Sequence, residues 1–199
     1  MKYAIIGSGK IGTALARVFA WKNIDFAIAN SRGPETLAPL REELGPNVFP
    51  QSIEDACKAE MIFLAVPFPA HKDVAKQSKQ WKGKIIVDTT NTFHVAPEEL
   101  KGVLSSELVS RAFAGAHLVK GFNHLPAAQL GTNPSLERQR QVVFLSSNDA
   151  DASATVAAVA TQLGFAPIEL GRIDEGGVPL HVVSGQSGGL LFQNLEKLG

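Results

Sequence analysis

An α/β fold with a doubly wound, mostly parallel sheet is predicted by three observations. Short apolar, β-branched runs alternate with segments of helical periodicity along most of the chain. The first such run stops at Gly7, Gly9 and Gly12, in the order G-x-G-x-x-G, where an amphipathic helix begins. The run Met61 to Val66, MIFLAV, is apolar without alternation, as expected of a strand covered on both faces. Together they imply right-handed crossovers and a Rossmann-type sheet. Residues 1–199 read as a single domain, with a core at 1–122 and a C-terminal extension at 123–199.

Lys2 to Ile6 forms the first strand. The first glycine allows a sharp turn, the second removes a side chain where a pyrophosphate must approach, and the third brings helix and strand together. Ile11, Ala14, Leu15, Val18 and Phe19 share one face of the helix that follows. The free N–H groups and positive dipole end at its start suit a phosphate. Gly7, Ser8, Gly9, Lys10, Ile11 and Gly12 are therefore assigned to the cofactor turn. A P-loop is excluded, because Thr13 rather than Lys follows Gly12.

The second strand, Ile24 to Ala29, selects the cofactor. An acid normally stands at its end to accept hydrogen bonds from the ribose 2′-hydroxyl of NAD. Here the chain continues Asn30-Ser31-Arg32-Gly33-Pro34. An Arg fork beside a hydroxyl suits a 2′-phosphate, so Asn30, Ser31 and Arg32 are assigned to the adenosine end and NADP is favoured.

A helical segment over Glu35 to Leu44 is ended by Gly45-Pro46, and Val48-Phe49 is a short third strand. Ser52 caps a helix through Ala59. The buried strand then ends in Val66-Pro67-Phe68-Pro69, whose prolines are expected to bar immediate helix formation and leave a loop at the carboxyl edge, with a helix near 70–79. Val66 and Pro67 thus face the ligand edge. Ile85-Ile86-Val87 leads into Asp88-Thr89-Thr90-Asn91-Thr92, where Thr89 and Asn91 bring a hydroxyl and an amide towards ribose and nicotinamide. Pro97 to Ala114 reads as helical with a break near Gly102.

A strand over Leu118 to Phe122 ends in Asn123-His124-Leu125-Pro126, and the chain through Arg140 reads as loop. Val142 to Leu145, a helix capped by Asp149 or Asp151, and Ile168 to Leu170 form a second β-α-β passage. The closing LLFQNLEKL reads as a terminal helix.

Lys and Arg number 19 and Asp and Glu 19, a formal net charge of zero, so no global field draws nucleic acid or an anionic membrane. The one cysteine, Cys57, excludes an internal disulfide and a multi-cysteine metal site, and no metal is expected. No run approaches the roughly 18 apolar residues of a membrane span, and no signal peptide is recognisable. These features point to a cytoplasmic protein with small-molecule partners.

The motifs Gly7-Ser8-Gly9-Lys10-Ile11-Gly12, Asn30-Ser31-Arg32, Val66-Pro67 and Val119-Lys120-Gly121-Phe122-Asn123 resemble those of the coenzyme F420-dependent NADP oxidoreductase family, which includes the reductase domain of the STEAP metalloreductases. The resemblance runs to about Leu170. It implies NADP(H) as cofactor and a flavin or deazaflavin (F420) as hydride acceptor. It places Ser31 and Arg32 at the 2′-phosphate, and Asn123 and Leu125 along the nicotinamide cavity. The tail Ser184 to Gly189 departs from it.

Hydride transfer between two rings asks the protein mainly for positioning and exclusion of water. Asn123, His124 and Leu125 are the residues assigned to that step. Reduction of a carbonyl or imine would also need a proton donor, sought among His71, His94, His117, His124 and His181. It would also call for a larger substrate domain, which the segment after Leu170 supplies only if two chains combine theirs in a homodimer. A third reading is an NADP-binding redox sensor without turnover.

Overall fold

A computed structural model of the chain describes residues 1–93, 95–133, 140–181 and 196–197. Its strands are β1 (Tyr3–Ile6), β2 (Phe26–Ala29), β3 (Val48–Pro50), β4 (Met61–Leu64), β5 (Ile85–Asp88), β6 (His117–Gly121), β7 (Arg140–Ser147), β8 (Ala166–Glu169) and β9 (Glu196–Lys197). The helices are α1 (Lys10–Trp21), α2 (Ala38–Leu44), α3 (Ile53–Ala56), α4 (His71–Ala75), α5 (Ser105–Ala112), α6 (Ala127–Leu130) and α7 (Ala150–Gln162).

Successive residues of a strand point to opposite faces, and both faces of this sheet are apolar. Ile5, Phe26, Ile28, Phe63, Val87 and Val119 pack under α1, α2 and α7. Their neighbours Ala4, Ile6, Ile62, Leu64, Ile86 and Leu118 pack under α3, α4 and α5. The strand order is β3-β2-β1-β4-β5-β6-β7-β8, with β9 paired to β7. Strands β1 to β6 are parallel, whereas β7 runs antiparallel to β6 and parallel to β8. From β1 the chain builds outward to β3, then returns to place β4 on the other side. The order therefore reverses between β1 and β4, and a crevice opens at their carboxyl ends.

Several local expectations are corrected. The prolines after β4 do not prevent a helix: a 3₁₀ turn over Phe68–Ala70 starts at once and runs into α4. Pro69 stands in its first turn, where a missing N–H is no loss. The helix stops at Ala75, earlier than expected, and the Trp81 indole N–H donates to the Ala75 carbonyl at 3.1 Å. The stretch after Asn123 is not all loop, since α6 forms one turn against α1. Glu196–Lys197 pairs antiparallel with Arg140–Gln141 and is strand, not terminal helix. The tail Ser184 to Gly189 lies outside the described residues. No helix among the described residues is long and apolar enough to cross a membrane.

Candidate active site

The glycine turn separates into two kinds of position. Gly7 adopts φ 112°, and a Cβ there would stand 2.1 Å from the Ala65 carbonyl oxygen. A Cβ on Gly12 would stand 1.8 Å from the Gly7 carbonyl oxygen. Both are required by packing between β1, α1 and the end of β4, and Gly12 does not reach the crevice. Gly9 is different. It has φ −76°, which any residue tolerates, and a Cβ there would meet nothing within 4 Å. The protein itself gives no reason for a glycine at this position, whereas a pyrophosphate lying on the turn does.

Two cavities meet at Gly9, Ala65, Val66 and Pro67. One, of about 720 Å³, runs over Gly7 and Ser8 to Asn30, Ser31 and Arg32. The other, of about 570 Å³, runs over Lys10 and Ile11 to Thr89, Asn91, Asn123, His124 and Leu125. With the exception of Gly12, every residue assigned to the cofactor or to hydride transfer lines one of the two.

At the first end Ser31 and Arg32 are exposed, while Asn30 is buried and turned inward. Its amide donates to Ser8 Oγ and Thr36 Oγ1, each at 3.0 Å, and its Oδ1 accepts from the Arg32 N–H at 2.8 Å. Asn30 thus ties the glycine turn to the Arg32 loop and has little left for a ligand. An acid also stands closer than expected from the sequence. A Cβ on Gly33 would lie 2.3 Å from Glu35 Oε1, so this carboxylate folds back over the loop.

The second end is built by contacts across the sheet. Phe122 sits at φ 62°, rare for a bulky side chain, and is held between Phe63 and Phe165 at ring separations of 5.7 Å each. That turn delivers Asn123 to the end of β5. Asn91 donates to the Asn123 carbonyl and accepts from its amide, both at 2.8 Å. The Asn123 amide also donates to the Leu180 carbonyl at 2.7 Å. Its Oδ1 is buried without a hydrogen-bond partner among the described residues.

His124 is 3% exposed and packs on Phe144. Its Nε2 lies 3.2 Å from the Val142 carbonyl, which can only accept, so the ring proton is on Nε2 and Nδ1 is an acceptor without a partner among the described residues. Burial pushes this imidazole down to about 4, the Val142 contact opposing. Thr89 donates to the Leu64 carbonyl at 2.9 Å and Thr90 to Asp88 Oδ1 at 2.7 Å. Val66, Pro67, Leu125 and Phe93 supply an apolar wall, and Phe93 is 56% exposed at the cavity.

The other histidines stand elsewhere. His117 meets Asp149 at 2.6 Å at the opposite edge of β6, and His94 is outside the described residues. His71 and His181 are linked to the Phe68 carbonyl and to Ser105 Oγ, and neither lines the crevice. Cys57 is buried, its thiol pushed up to about 11 by desolvation. No cluster of His, Cys, Asp and Glu among the described residues could hold a metal.

Sequence reasoning missed Phe93, Glu35 and the buried pair of Asp88 and Lys120, whose charged atoms lie 3.1 Å apart. The signal for the pair was available: a single charge at the end of each of two apolar runs, IIVD and LVKG.

Residues 2–92 match the family model described as NADP oxidoreductase coenzyme F420-dependent. The rat metalloreductase STEAP3 is 29% identical over 173 residues, 86% of this chain and 34% of its own. The chain spans about a third or less of the curated metalloreductases it matches. A hypothetical protein of Sinorhizobium meliloti superposes at a TM-score of 0.89 with 38% identity, covering 100% of this chain and 96% of its own. A structure described provisionally as an F420-dependent NADP-reductase, from Arthrobacter sp. FB24, superposes at 0.69 with 26% identity over 90% of each chain. Fold, glycine turn and these relatives agree: over residues 2–92 the chain resembles the coenzyme F420-dependent NADP oxidoreductases, and its fold is that of the structure from Arthrobacter.

Proposed function

We propose that this chain oxidises NADPH by hydride transfer to a planar flavin or deazaflavin ring. The observation that carries the reading is the polarity of the nicotinamide-end cavity. Its threonine hydroxyls and the Asn123 amide donate to the protein, its imidazole is neutral with its proton held by Val142, and the buried lining atoms without a partner among the described residues, Asn123 Oδ1 and His124 Nδ1, are acceptors. Asn123 Oδ1 and His124 Nδ1 suit the carboxamide N–H groups of a nicotinamide. A buried acceptor without a partner costs about 1–3 kcal/mol, a cost that such a ligand removes.

A ketone or imine would need a proton donor beside the reacting atom. Among the described residues Lys10 is the one cationic group in the lining, and it sits exposed at the start of α1, where it suits a phosphate rather than the nicotinamide wall. Bound NADPH supplies a hydride with its electron pair to the acceptor ring, itself becoming NADP⁺, and solvent supplies any accompanying proton. The chain's residues position and dry the reaction: Val66, Pro67 and Leu125 exclude water, and exposed Phe93 offers a flat apolar face to the acceptor. In this reading residues 1–122 carry most of the cofactor site, and the extension 123–199 closes its nicotinamide end.

The test is stopped-flow oxidation of NADPH at neutral pH with FMN, FAD and F420, beside a panel of ketones and cyclic imines. Turnover confined to the flavin-type acceptors is expected. Faster turnover of a ketone or imine overturns the assignment of acceptor. Tight NADPH binding with no turnover of any acceptor establishes the sensor reading instead.

A further inference from the structure

Behind the nicotinamide-end wall, on the face covered by α4 and α5, lies a buried ion pair that lines neither of the two cavities. Asp88 and Lys120 are register partners at the ends of β5 and β6, 0% and 1% exposed. Lys120 Nζ donates to Asp88 Oδ2 at 3.1 Å and to the Thr90 carbonyl. Asp88 Oδ1 accepts from the Thr90 N–H at 2.9 Å and from its hydroxyl at 2.7 Å, and Ser106 on α5 donates to Oδ2 at 3.2 Å. Burial opposes ionisation of Asp88, yet the Lys120 ammonium and the Thr90 contacts hold its carboxyl below the usual range. Burial pushes Lys120 down from its ordinary value while Asp88 opposes.

Replacing a buried ion pair by an apolar pair of the same volume is often neutral or stabilising, so stability alone is a weak reason for this one. What an apolar pair could not do is hold Thr90. Its N–H, hydroxyl and carbonyl are all bound by the two charges. Asn91 follows directly, and through its reciprocal amide pair it fixes Asn123, whose two N–H donors are thereby occupied and whose Oδ1 remains.

We infer that the Asp88–Lys120 pair is a positioning device for the nicotinamide half of the cofactor, holding the Thr90–Asn91 turn so that Asn123 keeps one acceptor unoccupied beside the cavity. The inference rests on the functional reading above. Lys120 is a positioning residue, acting through Thr90 and Asn91.

The test compares affinities for NADPH and for adenosine 2′,5′-bisphosphate, which keeps the adenosine end and lacks the nicotinamide. The double variant Asp88→Asn/Lys120→Met removes both charges and avoids leaving one uncompensated; Thr90→Val leaves both charges in place and breaks one bond to Asp88. In the double variant the preference for NADPH over the bisphosphate should fall about tenfold, the size of one good hydrogen bond to the ligand, with bisphosphate affinity unchanged. Thr90→Val should lose roughly two- to fourfold of that preference. A merely structural pair would lower the melting temperature and leave the ratio alone, and that result overturns the inference. If the double variant does not fold, Thr90→Val decides by the same ratio. A wild type that binds the bisphosphate as tightly as NADPH overturns the functional reading itself, and that is seen before any residue is changed.

Discussion

The two ends of the crevice are made by different means. The adenosine end is a local structure, in which Gly7 to Gly12 form one turn and Asn30 ties it to the six residues that follow. The nicotinamide end is assembled from segments far apart in sequence, since Asn91 and Asn123 are separated by 32 residues and Asn123 and Leu180 by 57. The first relies on backbone shape and the second on side chains that complete one another. Substitutions in the glycine turn of the first should therefore act on shape, and those at the second on proton state and register.

The largest expected effect divides the glycines. Gly7→Ala would force a side chain into positive φ and against the Ala65 carbonyl, so it should destabilise the fold by about 3–5 kcal/mol. Gly9→Ala should melt as wild type, because its conformation is ordinary and its Cβ space is open. It should nevertheless lose NADPH affinity about tenfold or more, since the methyl fills the phosphate's place. Thermal melting without ligand and titration with NADPH separate the two effects. Normal NADPH binding by Gly9→Ala would reduce the motif to a structural turn.

This division also marks what could be read from the sequence. The glycine spacing, the missing acid after β2 and the Ser52 and Asp149 caps follow from residues a few positions apart, and all are present. The convergence of Val66-Pro67, Thr89 and Asn123 was predictable because parallel strands share a carboxyl edge. Which atoms would be occupied there was not. That Asn30 faces inward depends on Thr36, and that His124 is neutral depends on Val142, a partner supplied by an antiparallel strand. The folding back of Glu35 needs the positive φ at Gly33, and no local pattern announces it.

The nicotinamide end should be the more sensitive to acid. His124 takes up a proton near 6.5 when unfolded and near 4 when folded, so below about pH 7 the unfolded chain binds more protons. Stability is then at its full value above pH 7 and falls as the pH drops from 6.5 towards 4, by about 3 kcal/mol from this residue. His71 and His181 are shifted in the same direction and add to the slope. Urea unfolding of wild type and His124→Gln across that range isolates the His124 share, because the variant keeps a donor for Val142 but cannot titrate. Parallel curves for the two proteins would show that His124 is protonated in the fold at ordinary pKa, and the acceptor assigned to its Nδ1 would be withdrawn.

The side-chain charges at the adenosine end are exposed, and the smallest effect, that of Glu35, lies among them. Arg32→Ala should lower NADPH affinity about tenfold or more, the loss of a charge-assisted contact of roughly 1.5–3 kcal/mol, and leave NADH affinity nearly unchanged. Glu35 acts in the opposite sense, because its carboxylate lies over the loop that would receive a dianionic phosphate. Glu35→Gln should raise NADPH affinity by about two- to threefold at low ionic strength, an effect limited by solvent screening and lost in high salt. The same substitution should not change NADH binding, since the ribose hydroxyl carries no charge to repel. Titration of both cofactors against both variants at two salt concentrations checks the pair together. A gain in NADH affinity equal to that in NADPH would mean that Glu35 obstructs the ribose by its bulk, and that its charge has no part in choosing the cofactor.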